Sequence, residues 1–207
     1  MSSPPSGNQP PPPNPILSAY EGFVRDTPLV TRYTLSTLFI SWFVSFFFRP
    51  SHAFGTIPYY CIVKFQLYRL VLSPLVCESA LSLLFAYLCF IESGKRLEFS
   101  LGSTAFAWYM LTITFVTNGL FLASTFLLYG LSGNVGFIMM QSVGIWTILF
   151  GIIATECIKA PPNSQRRLFF VNVPTIYYPC ALWGLFSLIG GFNFPELIAV
   201  GVGYAYG

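Results

Sequence analysis

Residues 130–133 read Gly-Leu-Ser-Gly, a serine flanked by glycines between two long apolar runs. With a base to take its proton, such a hydroxyl attacks a carbonyl carbon and forms an acyl intermediate. The oxyanion that develops then needs donors aimed at it. The chain supplies few partners for this chemistry. His52 is its 1 histidine, just after the first apolar run, and the carboxylate nearest the apolar runs at that end is Glu78. Cys61, Cys77, Cys89, Cys157 and Cys180 are scattered, with no Cys-x-x-Cys and no histidine at ligand spacing. They read as small apolar residues inside a bundle, so neither a metal nor a cofactor is expected.

The elements that must position Ser132 are membrane helices. The chain of 207 residues is 55% hydrophobic, 18% aromatic and only 8% charged, against about a quarter charged in a soluble domain. Such a surface cannot stay in water, which makes this an integral membrane protein. A net charge of +3, spread along loops, does not make a nucleic-acid surface. Crossing a hydrocarbon core takes about 20 mostly apolar residues. Stretches 29–48, 70–91, 104–129, 134–155 and 169–191 qualify, and 194–207 is a sixth that stops short and reads as a truncated helix. Residues 1–26 are a proline-rich tail, expected to be disordered or extended and cytosolic, with neither the basic start nor the apolar core of a signal peptide. Its Pro10–Pro13 run reads as a tether, with SH3 or WW docking as the alternative. Residues 27–207 form the transmembrane domain.

Positive charge orients the spans. Arg25, Arg32, Lys95, Arg96, Lys159, Arg166 and Arg167 lie on the side of the N-terminus, and Arg49, Lys64 and Arg69 on the other. That bias puts the N-terminus in the cytosol and Ser132 near the opposite face, at the start of the fourth span. The long first loop, 49–69, carries Pro50, Pro58, Tyr59, Tyr60 and Tyr68 and is expected to lie on the lumenal leaflet.

Six spans, a long first loop and Gly-x-Ser-Gly opening the fourth resemble the rhomboid superfamily, over about 27–207. The stretch Ser82–Ser103 ends in Leu97-Glu98 and Gly102-Ser103, which fits the L-E-x-x-x-G-S of rhomboid proteases. Gln66–Arg69, with Tyr68 and Arg69, resembles the W-R element that closes the first loop. The departures bear on chemistry: Ser82 and Ala86 stand where the proteases carry an oxyanion-binding His and Asn, and no histidine occupies the sixth helix. The resemblance therefore implies that Ser132 is a relic and the protein no enzyme. Tyr177–Tyr206 resembles the derlin pattern through Tyr178-Pro179, Gly190-Gly191, Glu196-Leu197 and Val202-Gly203, with Tyr204 where derlins have histidine, and Thr27–Leu38 resembles the derlin lead into the first span. This is similar both to derlins and to rhomboid-like proteins with a ubiquitin-associated domain.

The resemblance implies a non-catalytic protein of the endoplasmic-reticulum membrane. It would bind misfolded or transmembrane clients and pass them to ubiquitin ligase or unfoldase machinery. Alternatives are an active protease using Ser132, a trafficking scaffold, and a transporter or channel; the last is disfavoured by the lack of internal repeats. Ionisable groups in spans are costly and so have a partner or purpose. Glu78, one turn before Ser82, is expected either to face a wet cavity near Ser132 or to pair with Arg69 or Lys64. Asn118 and Gln141 read as interhelical hydrogen-bonding residues and Glu196 as a cap on the sixth helix, while Glu78, Ser82, Arg69, Asn118 and Gln141 are the candidate client- or partner-binding residues. Gly130, Gly133 and Gly136 are read as packing residues, as are Gly203 and Gly207, placed against the fourth span.

Overall fold

The computed structural model describes residues 15–161, 164–168, 171–190 and 193–207. Pro10–Pro13 and Gly191 lie outside the described residues. Residues 15–26, expected as tail, form the helix α1 (Pro15–Asp26), and Phe23 packs on the core. Proline suits a first helical position because its missing N–H would have had no partner there. Pro28, extended at ψ 162°, then separates α1 from α2 (Leu29–Val44).

The first loop folds into three short helices, α3 (Pro50–Phe54), α4 (Pro58–Val63) and α5 (Tyr68–Leu72), followed by a 3-10 turn, Ser73–Leu75. Prolines open α3 and α4 for the reason that one opens α1. α6 runs Ala80–Leu101 and starts ten residues after the expected 70, because Ser79 caps it and the preceding helical turns lie at 89° to it. α7 spans Ser103–Ser132, after a sharp turn at Gly102 (φ 86°). Residues 134–145, expected within the fourth span, are not a regular helix: Thr56 and Ser142 exchange two backbone hydrogen bonds, of 3.0 and 2.9 Å. α8 is Trp146–Ile158. Near the start of the fifth apolar stretch β2 (Val171–Pro174) pairs antiparallel with β1 (Gln165–Leu168) just before it, so the chain is mostly helical rather than all-α. α9 (Tyr178–Gly190) and α10 (Phe194–Tyr206) complete it.

Among the described residues α7 alone is long and apolar enough to cross a membrane, and α6 joins it only if taken with the bent segment before it. α2 and α8 are apolar but shorter, at 16 and 13 residues. α8 lies at the centre: Thr147 through Thr155 are all buried. Around it Leu35, Leu38, Phe90, Phe106 and Ile113 meet Ile145, Leu149 and Ile152 in one cluster. α10 crosses α8 at close range. A Cβ on Gly203 would run into the Gly151 carbonyl and sit 2.6 Å from Cβ of Ala154, and one on Gly207 would strike Ile158. The Thr155 hydroxyl lies 2.9 Å from the Gly151 carbonyl and 3.1 Å from that of Gly203, adding a polar tie to the contact. Outward faces carry large apolar side chains, among them Phe39, Phe43, Phe47, Trp108, Phe115 and Leu127.

Candidate functional site

Ser132 ends α7 instead of opening the fourth long helix, which corrects the expected position. Its exposed hydroxyl donates to the Leu128 carbonyl at 2.6 Å and accepts from the Asn134 N–H at 3.2 Å. Gly133 takes the left-handed conformation (φ 67°) and its N–H returns to Tyr129 at 2.8 Å. Glycine is favoured there because a side chain strains that backbone. Gly130-Leu131-Ser132-Gly133 is thus a helix terminator. The packing role expected of its glycines is corrected as well. Nothing lies within 4 Å of a Cβ built on Gly130 or Gly133, and one on Gly136 meets Asn134 of its own turn.

The buried polar groups gather elsewhere, in two knots. The first joins the loop helices to α7 and to the segment before α8. Arg69, 5% exposed, donates through Nη1 to the carbonyls of His52 and Gly55, both at 2.9 Å, and through Nε to Gln66 Oε1 at 2.7 Å. The Tyr60 ring lies 5.1 Å from its guanidinium, and Tyr68 lies 5.9 Å away. Thr56 donates from Oγ1 toward Ser73 Oγ and the Arg69 carbonyl, each at 2.9 Å. Asn118, buried in α7, donates to the Leu70 carbonyl (2.6 Å) and Ser73 Oγ (3.1 Å), and its Oδ1 accepts from Ser142 Oγ at 3.4 Å. Gln141 donates to the Ser51 carbonyl at 2.6 Å. A side chain at Gly55 would collide with Gln141 and the Ser51 carbonyl, so glycine is required where these segments touch. Nothing in the spacing of Thr56, Ser73 and Ser142 marks them in the sequence; their mutual contact exists only in the fold.

Glu78 is exposed and precedes α6, so the expectation that it shares a helical face with Ser82 is corrected. Its Oε1 accepts from the Ser51 N–H at 2.8 Å, at the start of α3, and it forms no ion pair with Arg69 or Lys64. Ser82 accepts from Trp146 Nε1 at 2.8 Å, tying the start of α6 to that of α8, and the Trp146 ring lies 4.9 Å from that of Phe186 of α9, tilted by 53°. Gln141, Ser142, Thr147 and Asn193 line a polar cleft of about 60 Å³ with Glu196, whose Oε2 is buried and unpartnered.

The second knot sits at the opposite end and is built on Glu98, 2% exposed. Its Oε1 accepts from the Val30 N–H (2.8 Å) and Ser103 Oγ (2.6 Å), and its Oε2 from the N–H and hydroxyl of Thr31, both at 2.8 Å. A carboxylate at the exposed N–H groups of a helix start is favourably placed. Here one side chain ties the beginning of α2 and of α7 to the end of α6. The spacing of Glu98, Gly102 and Ser103 follows: four residues carry the chain around the turn and bring the serine hydroxyl back to the carboxylate. Outside this knot Glu156 of α8 pairs with Arg96 at 3.0 Å and Arg166 of β1 at 3.4 Å.

Both knots satisfy their members internally, and among the described residues no group of three His, Cys, Asp or Glu could hold a metal. What the arrangement can do is hold helices and loop in a fixed relation across a membrane. Among curated proteins none matches the chain. The family described as eukaryotic integral membrane protein (DUF1751) matches residues 32–202. That match takes in the Arg69 knot, Glu98 and Ser103 of the other knot, and every helix from all but the start of α2 to all but the end of α10, and the chain belongs to the eukaryotic integral membrane protein family DUF1751.

Proposed function

We propose that this chain is a non-catalytic, rhomboid-like membrane protein that holds transmembrane or misfolded client segments for quality control in the endoplasmic reticulum. In this reading α2, α6, α7, α8, α9 and α10 are its six spans, and the N-terminus is cytosolic. The observation that carries it is the length of the central helix. α8 has 13 residues, as do α9 and α10, and at 1.5 Å per residue each is about 20 Å long. The hydrocarbon core of a bilayer is about 30 Å thick. Helices this short thin the surrounding lipid, which lowers the barrier to moving polar chain through it.

Client contact belongs to the groove between α7 and α10. It has a volume of about 530 Å³ and apolar walls that include Val116, Leu120 and Ile198, with Gly201 and Ala205 allowing close approach of a further helix. Arg69, Asn118, Gln141 and Ser82 are engaged inside the protein and serve as scaffold. Ser132 has its proton on a backbone carbonyl, consistent with a role in ending α7. Handing clients to ubiquitin ligase or unfoldase machinery completes the proposal.

The test follows the decay of a misfolded membrane client after translation is blocked. Cells lacking the protein should degrade it more slowly, and the natural form and Ser132→Ala should rescue equally. Rescue by the natural form alone, with Ser132→Ala correctly folded, would return the protein to the proteases. Unchanged decay in cells lacking the protein would remove it from degradation.

A further inference from the structure

Depth in the membrane is marked along α7. Trp108, exposed near its start, and Tyr129, half-buried near its end, are the residue types that favour membrane–water boundaries. The helix from 108 to 129 is about 32 Å long at 1.5 Å per residue, close to the roughly 30 Å of a hydrocarbon core. Asn118 stands midway between the two rings. It donates to the Leu70 carbonyl at 2.6 Å, and Cys61 packs on Phe121 and Leu122. The loop helices α4 and α5 therefore lie beside the middle of α7, not above its end. Ser73 and Ser142 come to the same depth through their bonds to Asn118. Irregular backbone is tolerated at such depth where other protein groups satisfy it, and the Arg69 knot does so. The start of α2 meets the end of α6 at Glu98, so α2 ends and α6 begins on one side of the membrane. Chain that dips to mid-depth between them enters and leaves by that side.

We infer that residues 49–75 are a re-entrant segment whose tip lies among the phospholipid acyl chains of the leaflet on the Ser132 side. The tip, between α4 and α5, turns Ile62, Val63, Phe65 and Leu67 outward, and the Phe65 side is the most open at 82% exposed. Phe65 is also held in the left-handed conformation, φ 53°, which a bulky residue adopts at a cost in free energy. The Leu67 N–H bonds back to the Phe65 carbonyl at 2.9 Å, and the Gln66 N–H reaches that of Tyr60 at 3.3 Å. A ring so exposed gains little from the chain's own packing, whereas acyl chains bury it. The same apolar surface continues onto the faces that lipid covers. Val71 lines a hollow with Trp108, Leu111 and Phe115 of α7, and Phe54 and Leu72 line another with Ile40 and Val44 of α2. Between Pro50 and Tyr68 the sequence carries one formal charge, Lys64. Its ammonium lies 4.9 Å from the Tyr60 ring centre, and its long stem lets it reach toward the headgroups. The inference holds whether or not the protein handles clients.

The experiment reconstitutes the full chain in phosphatidylcholine vesicles after replacing its exposed cysteines, Cys89→Ser and Cys180→Ser. Single nitroxides are then attached at Val63→Cys, Phe65→Cys, Phe115→Cys or Ser132→Cys, and their collisions with oxygen and with a water-soluble nickel chelate are measured. The labels at 63 and 65 should meet oxygen far more than nickel, as the mid-span label at 115 does, and the label at 132 should show the reverse. Phe65→Asn removes the ring while keeping a residue type that tolerates the left-handed turn. With the label at 63, it should shift the tip about tenfold toward water, the factor that about 1.5 kcal/mol of lost apolar burial implies. Labels at 63 and 65 that meet nickel as freely as the one at 132 would overturn the inference. So would low collision with both reagents, the mark of a tip covered by protein instead of lipid. A label at 63 left unmoved by Phe65→Asn would remove the ring as the anchor.

Discussion

At one end of the bundle Glu98 is buried and at the other Arg69 is buried, and among the described residues neither has an ion of opposite charge paired with it. Each finds its counter-charge in dipoles. Glu98 takes two backbone N–H groups and two hydroxyls, and Arg69 takes two carbonyls, a side-chain amide oxygen and the faces of two tyrosines. The difference lies in what each ties together. The donors to Glu98 come from α2 and α7, so the knot fastens three long helices. The acceptors of Arg69 all come from the loop between α2 and α6, so its own bonds fold the loop upon itself. That loop reaches the bundle at second hand, through Thr56, Ser73, Asn118 and Ser142. A polar residue in a membrane protein can therefore be equally buried and equally satisfied while holding a whole bundle or only one surface of it.

Glu98→Ala is the severest test of this contrast. Removing the carboxylate strands four donors, and a loss of about 4 kcal/mol is expected from the range for breaking buried charged networks. Unfolding should be global, with α2, α6 and α7 losing amide protection together, and Glu98→Gln should fall between it and the natural protein. A cost below about 1 kcal/mol would show that the helices hold without the staple. Arg69→Lys keeps the charge but loses the planar fork. About 2 kcal/mol is expected, since up to three hydrogen bonds are shortened to what one ammonium can reach. Hydrogen exchange should rise across residues 49–75 while α7 stays protected, and loss of protection in α7 as well would erase the distinction between the two ends.

Between the ends, Gly203→Ala probes the α8–α10 crossing. It should cost about 2 kcal/mol, within the range for overpacking, because the added methyl meets the Gly151 backbone and cannot be accommodated by a side-chain turn. Gly201→Ala, with nothing within 4 Å, is the matched control and should stay within about 0.5 kcal/mol. Equal effects of the two, by thermal unfolding in detergent, would show that the crossing is looser than its geometry. The smallest effect is expected of Ser132→Ala, within about 0.5 kcal/mol, because the exposed hydroxyl only caps the last turn of α7. A larger loss would draw the end of α7 into the Arg69 network.

The sequence made some of this legible and hid the rest for particular reasons. The Glu98-Gly102-Ser103 spacing is readable because its chemistry is local: a turn and a hydroxyl five residues from the carboxylate. The boundaries of α6 and α8 are not. Residues 70–79 and 134–145 are as apolar as a helix, and hydropathy does not separate helix from bent or extended chain. The first is turned by Pro74 and restarted by the Ser79 cap, and the second winds through turns at 135–139 and pairs with Thr56 at Ser142. Gly130-Leu131-Ser132-Gly133 shows the converse, since its residue types suit an active-site turn and a helix terminator alike. Only the left-handed Gly133 after a completed α7 distinguishes them.

By itself, the sequence determined a mostly helical chain that belongs in a membrane, because 8% charged residues leave no other solvent for so much apolar surface. It also set where helices are capped and broken, through prolines, glycines and serines acting on their own neighbours. The tertiary structure decided which polar groups meet. Thr31 reaches Glu98 across 67 residues, and Gln141 reaches Ser51 across 90. In lipid, helix faces gain little by hiding apolar surface from one another. Partners are chosen instead by close packing at small residues and by the cost of leaving a polar group unmatched, and both depend on which segments the folded chain brings together.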